Sequence, residues 1–182
     1  MIDAGACWGE TTLYFAHEAG PKGTVVAFEF VPSNLAATGR NVDLNPHLKE
    51  RIRLVPNPIW DSSGLKLYYL DWGPGSRVTD NADRRHDDTV ETVTIDETLA
   101  GLGLPRVDFI KMDIEGAELA ALRSAEASIR KHRPKLAISV YHNLEGIETI
   151  PRYLAGLDLG YRFYLDHHTI YENETVLFGV PS

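Results

Sequence analysis

Short apolar runs alternate with stretches of helical period along most of the chain. Residues 24–30, Thr-Val-Val-Ala-Phe-Glu-Phe, are bounded upstream by Gly20-Pro21-Lys22-Gly23 and are too short for a buried helix, so they predict a buried strand. Phe109-Ile-Lys-Met112 and Leu136-Ala-Ile-Ser-Val140 read the same way. Ile52-Arg-Leu-Val55 predicts a further strand, and Pro56 and Pro58 after it suit a sheet edge, where missing ladder donors cost little. Between the strands, Leu13 to Ala16 after Thr11 and Thr12 predict a helix over residues 12–18. A second is expected over 32–45, closed by Asn45-Pro46. A third is expected over 117–131, with Leu119, Leu122 and Ile129 on its apolar face. Residues 65–70 and 90–95 read as strands, 96–103 and 147–157 as helices, and 160–165 with 175–180 as a closing antiparallel hairpin. Strands alternating with helices predict an α/β fold on a largely parallel sheet.

Two stretches depart from this rhythm. Only Met1 and Ile2 precede Asp3, fewer than a buried parallel strand usually needs, so the first strand is expected to be clipped or to lack upstream residues. Residues 71–88 are polar and rich in glycine and charge, with Arg84, Arg85 and His86 near their end. They predict a surface loop of the length that often forms a lid.

Composition narrows the class. A chain of 182 residues with 43% apolar side chains is sized for a single domain, residues 1–182. Its net charge of −8 disfavours nonspecific contact with nucleic acid or an anionic membrane. The lone cysteine, Cys7, permits no disulfide within the chain, and a reducing, cytoplasmic setting is the natural expectation. No apolar run approaches the length of a membrane span.

The chemistry concentrates at predicted strand ends. Asp3 is followed by Gly5-x-x-x-Gly9 and then by the helix start at Thr12: strand, glycine turn, helix N-terminus. Such a turn lets a ligand approach the backbone closely, while free helix N–H groups donate to it. The spacing is not the G-x-G-x-x-G that grips a pyrophosphate, and an acid before the first glycine would repel one. It would instead receive a cationic ligand such as S-adenosylmethionine. Glu29 falls 26 positions after Asp3 at the end of the second strand, where a carboxylate accepts from both ribose hydroxyls. Ile59 and Trp60 reach the region where an adenine would lie, with Trp60 placed either to cover that ring or simply to pack. Asp113 and Glu115 follow the Phe109–Met112 strand, and Tyr141-His142-Asn143 follow residues 136–140. All are therefore expected at one crevice beyond the strands' carboxyl ends. His167-His168 reads as exposed, and Cys7 as a small packed residue.

At Asp3-Ala-Gly-Ala-x-x-Gly, Phe28-Glu29, Asn41-Val-Asp-Leu-Asn45 and Asp108-Phe-Ile-Lys-x-Asp-x-Glu-Gly-Ala-Glu118, the chain resembles the FkbM family of S-adenosylmethionine-dependent methyltransferases. The resemblance implies a three-layer, Rossmann-like class I sheet, mostly parallel with one antiparallel strand in a C-terminal hairpin. It also implies that Asp3, Gly5 and Gly9 hold the methionine moiety, Glu29 the ribose, and that Asp113 closes the pocket near the transferring methyl. The expected activity is O-methylation of a hydroxyl on a small molecule or sugar. His142, Asp113 and Glu115 are the candidate bases, His142 for its near-neutral ordinary pKa. Tyr141-His142 stands where the family often has a carboxylate. A magnesium ion on Asp113 with Glu115 or Asn143 is the less favoured route. A noncatalytic or truncated cofactor-binding domain is the alternative, and a nicotinamide-dependent oxidoreductase a more distant one.

Overall fold

The computed structural model describes residues 1–81, 85–171 and 173–182, so Arg84 of the predicted surface loop lies outside the described residues. Ten strands and six helices are present among those residues. Seven strands form the main sheet: β1 (Ile2–Ala4), β2 (Val25–Phe28), β3 (Ile52–Val55), β7 (Phe109–Met112), β8 (Lys135–Ser139), β9 (Tyr161–His167) and β10 (Thr175–Pro181). Their order is β3-β2-β1-β7-β8-β10-β9, with β10 antiparallel to β8 and to β9 and the other pairs parallel. This is the expected sheet: β3, followed by its prolines, lies at one edge, and the hairpin closes the other.

The strand residues explain the layering. On β2, Val26 and Phe28 face the larger core with Ile2, Ile110 and Ile138, while Val25 turns to the opposite face with Ala16, Leu48 and Ile52. Alternate residues pointing to opposite faces produce two cores and therefore helices on both sides. On one side α1 (Glu10–Glu18) packs on α2 (Pro32–Asp43). On the other, α3 (Ile95–Gly101), α4 (Glu118–Ser124), α5 (Glu126–His132) and α6 (Gly146–Gly156) form a second group.

Two local expectations are corrected. The single helix over 117–131 is two short helices meeting at Ala125, whose φ of −108° and ψ of 6° leave the helical region. Just before the break, the Ser124 hydroxyl donates to Ala121 O and accepts the Ile95 amide of α3. The apolar pattern runs across the break because both pieces face one core. Residues 71–88, in turn, are not one long loop. β4 (Lys66–Tyr69), β5 (Val78–Thr79) and β6 (Asp88–Glu91) build a separate antiparallel sheet in the order β5-β4-β6, and Gly73–Gly75 form a tight turn within it. Among the described residues no helix is long and apolar enough to cross a membrane.

Candidate active site

A cavity of about 370 Å³ opens beyond the carboxyl ends of β1, β2 and β7. That volume lies within the range of small-molecule sites, and the position is where parallel sheets bind ligands. Its wall includes Gly5, Glu29, Ile59, Lys111, Asp113 and Glu115. The segment carrying Gly73 to Val78 forms the facing wall.

The glycine turn is built differently from the expectation. Gly5 adopts a φ of 83°, and a Cβ there would stand 1.9 Å from the carbonyl oxygen of Asp113. Its amide and that of Ala6 both donate to Phe28 O, at 3.1 and 3.0 Å. Glycine is therefore required by the crossing of two strand ends, and these amides are already committed. Gly9, with a φ of 85°, faces away from the cavity, and a Cβ on it would meet the Thr38 methyl of α2 at 2.9 Å. Thr38 Oγ1 donates to Cys7 O and Asn41 Nδ2 to Trp8 O, each at 2.7 Å, which pins the turn to α2. The Cys7 thiol is pushed up to about 11 by burial and by Glu10 and Glu29, so it stays protonated.

Asp3 does not reach the cavity. Fully buried behind the turn, it accepts from Thr11 Oγ1 at 2.8 Å and Thr12 Oγ1 at 2.6 Å through Oδ2, while Lys111 Nζ lies 3.2 Å from Oδ1. Thr12 is likewise buried and spent on Asp3. Lys111 also donates to Gly5 O at 2.7 Å, so a cation balances the buried acid and props the turn. The strand-end position of Asp3 suggested a ligand contact; the hydrogen bonds assign it to holding β1, α1 and β7 together.

Glu29 does line the cavity. Its Oε1 accepts the amides of Phe30 at 2.7 Å and Val31 at 2.8 Å, its Oε2 accepts the Asn34 side-chain amide at 3.3 Å, and the Cys7 backbone amide donates to the carboxylate as well. Burial pushes its carboxyl up, against the pull of those donors. Asn34 gives a second bond to Gly73 O at 3.1 Å, linking the Glu29 carboxylate to the facing wall. Ile59 lines the cavity with Pro58, but Trp60 is not in its lining. Isolated pairing of Ile59 with Val93 sends the chain outward at that point, with the Trp60 amide bonded to Val93 O.

Beside this cavity lies a second of about 500 Å³, with Arg77, Glu115, Tyr141 and Glu174 on the shared border. His142 lines the second cavity, not the first. Its Nδ1 sits 2.7 Å from Glu118 Oε1, and its Nε2 lies 3.4 Å from Asp113 Oδ1 and 3.5 Å from Glu115 Oε1. Burial pulls the ring down, but the Glu115 and Glu118 carboxylates outweigh it and raise His142 to about 10. A ring whose proton is held this tightly is a poorer candidate for the base than the neighbouring carboxylates. Tyr141 OH donates to Asp113 Oδ1 at 3.2 Å, and burial with the nearby Asp113 and Glu174 charges keeps the phenol protonated. Glu115 has a φ of 56°, a strained conformation for a side chain. Among the described residues no three His, Cys, Asp or Glu side chains are arranged to hold a metal ion.

Lys111, Asn34 and Glu118 were not singled out from sequence, whereas the Gly73–Val78 wall falls in the stretch expected to form a lid. Lys111 and Glu118 both sit inside the motif Asp108 to Glu118, and that was the available signal.

The model of the methyltransferase FkbM domain matches residues 3–163. The chain belongs to the FkbM methyltransferase family. A curated relative, methyltransferase sdnD of Sordaria araneosa, is 27% identical over 157 residues, covering 69% of this chain and 60% of its own length. Among solved structures, FkbM from Methylobacillus flagellatus KT superposes with a TM-score of 0.77 at 26% identity, covering 99% of this chain and 43% of that one. Fibrillarin of Aeropyrum pernix, solved with bound S-adenosyl-L-methionine, superposes with a TM-score of 0.59 at 15% identity, over 98% of this chain and 65% of that one, and shares the fold. The chain thus spans less than two thirds of each of these FkbM-type relatives, sdnD and the Methylobacillus protein.

Proposed function

We propose that the first cavity binds S-adenosylmethionine and that the chain transfers a methyl group to a hydroxyl oxygen of a small molecule held in the second. The observation that carries the reading is the placement of Glu29 and Asp113 on one cavity, with Glu115 on the border to the next. The residues fit the cofactor. Glu29 Oε2 accepts the long Asn34 bond, and a carboxylate's roughly four lone-pair sites leave room for ribose hydroxyls. Phe28, Pro58 and Ile59 offer apolar surface to a base. Glu10, Glu29, Asp113, Glu115 and Glu174 outnumber Arg77 and Lys111, the latter's ammonium being committed to Asp3 and Gly5, so the field favours a sulfonium. The same field, and turn amides already bonded to Phe28 O, disfavour the diphosphate of a nicotinamide dinucleotide.

When bound, the cofactor supplies a methyl group already activated by positive sulfur. What remains for the chain is to orient the acceptor, exclude water and take one proton. Asp113 and Glu115 are the carboxylates positioned to do so, with side chains 38% and 28% exposed. The net charge of −8 favours a small-molecule acceptor over nucleic acid.

The test is incubation with methyl-labelled S-adenosylmethionine and a panel of methyl glycosides, polyols and phenols, followed by mass spectrometry. Label on an acceptor oxygen supports the reading. Binding of the cofactor with no transfer to any acceptor supports a noncatalytic cofactor-binding domain instead.

A further inference from the structure

Four acidic or phenolic groups surround His142. The Glu118 carboxylate of α4 is 2% exposed and the His142 ring 5%, so their 2.7 Å contact is a buried pair. The same Glu118 Oε1 accepts the amides of Ile114 at 3.0 Å and Gly116 at 3.4 Å, which caps the turn between β7 and α4. The opposite ring nitrogen, Nε2, is buried and has no hydrogen-bond partner among the described residues. It points between Asp113 Oδ1 and Glu115 Oε1 at 3.4 and 3.5 Å, distances long for hydrogen bonds but short for charge attraction. The Tyr141 ring lies over the imidazole, centroids 4.1 Å apart, and its hydroxyl takes Asp113 Oδ1 as well. Asp113 itself lines the first cavity.

We propose that His142 is a positioning residue: a cation fixed on Glu118 that orients Asp113 and Glu115, so that Asp113 Oδ2 receives the proton of the acceptor hydroxyl. Exposure separates the roles. The His142 side chain is only 5% exposed where it borders the second cavity, whereas Asp113, on the wall of the first, is 38% exposed and the more open of the two. Two carboxylates side by side repel, and the imidazolium between them offsets that repulsion. A ring raised to about 10 carries that charge throughout the neutral range. In the step itself the acceptor O–H bond breaks, the proton passes to Oδ2, and the electron pair left on oxygen forms the bond to the methyl carbon as that carbon's bond to sulfur breaks, its pair going to sulfur to leave neutral S-adenosylhomocysteine.

The proposal rests on the methyl-transfer reading, but its first readout needs no turnover. In 15N-labelled chain with S-adenosylhomocysteine, the His142 ring at about pH 8 should show both nitrogens protonated, and Glu118→Gln should lower the pH at which it loses a proton. A neutral ring in the wild type would overturn the proposal. Should Glu118→Gln fail to fold, His142→Gln carries the second readout. With an acceptor identified, it should lower kcat about 100-fold while the KM for cofactor moves little. Asp113→Asn should lose at least as much. Full kcat in Asp113→Asn would equally overturn the assignment. A chain that transfers methyl to nothing fails the methyl-transfer reading, whereas a neutral His142 ring fails this proposal alone.

Discussion

The carbonyl oxygen of Asp113 stands 1.9 Å from where a Cβ on Gly5 would begin. One strand end thus occupies the space that any side chain at the first glycine would need. Gly5→Ala should therefore weaken the fold itself rather than only block a ligand. The clash with backbone, added to a φ of 83°, predicts a loss of about 3 kcal/mol or more in urea unfolding. A variant as stable as wild type would mean that the β1 and β7 ends separate easily.

Glu29 should show the opposite division between stability and binding. Its carboxyl is raised on folding, chiefly by burial, from an ordinary 4.5. A raised acid holds its proton more tightly when native, so its contribution to stability falls as pH climbs through that interval. Glu29→Gln removes the penalty. At neutral pH the variant should melt no lower than wild type, while S-adenosylhomocysteine binding weakens by about 1.5–3 kcal/mol. Unchanged affinity by calorimetry would remove Glu29 from the ribose site.

The His142 pair makes a pH signature. A ring raised from 6.5 to about 10 contributes stability that is fully present below 6.5 and is lost as pH rises through the higher value. Urea midpoints of the wild type should fall between about pH 7 and 10, and Glu118→Gln should flatten that slope. An equal slope in both proteins would contradict the pairing.

Asn34 ties the Glu29 carboxylate to Gly73 O while only 2% exposed. Asn34→Ala should cost about 1–3 kcal/mol in cofactor affinity and speed amide exchange at Ser76, which bonds to Gly73 O. Hydrogen exchange of the Gly73–Val78 wall measures this directly; unchanged exchange would leave the wall independent of the ribose side.

The sheet was legible because its strands are short apolar runs bounded by breakers, and the strand-end acids could be placed from those runs alone. What lay hidden was pairing between distant residues. Asp3 looked like a ligand contact because nothing local announces that Lys111, Thr11 and Thr12 enclose it. His142 looked like a base because three carboxylates from the β7–α4 region meet it only in the folded chain. β4 and β6 pair across an intervening polar stretch whose composition reads as loop. Trp60 was left between covering a ring and packing, and of the two neighbours only Ile59 lines the cavity.

The central claim is that the cavity between Glu29 and Asp113 is a site for S-adenosylmethionine. Isothermal titration of the chain with S-adenosylhomocysteine, beside NADH, tests it most directly. One equivalent of S-adenosylhomocysteine should bind, with a weaker isotherm in Glu29→Gln, and NADH should give no heat of binding. Silence with S-adenosylhomocysteine, or tighter binding of NADH, would contradict it.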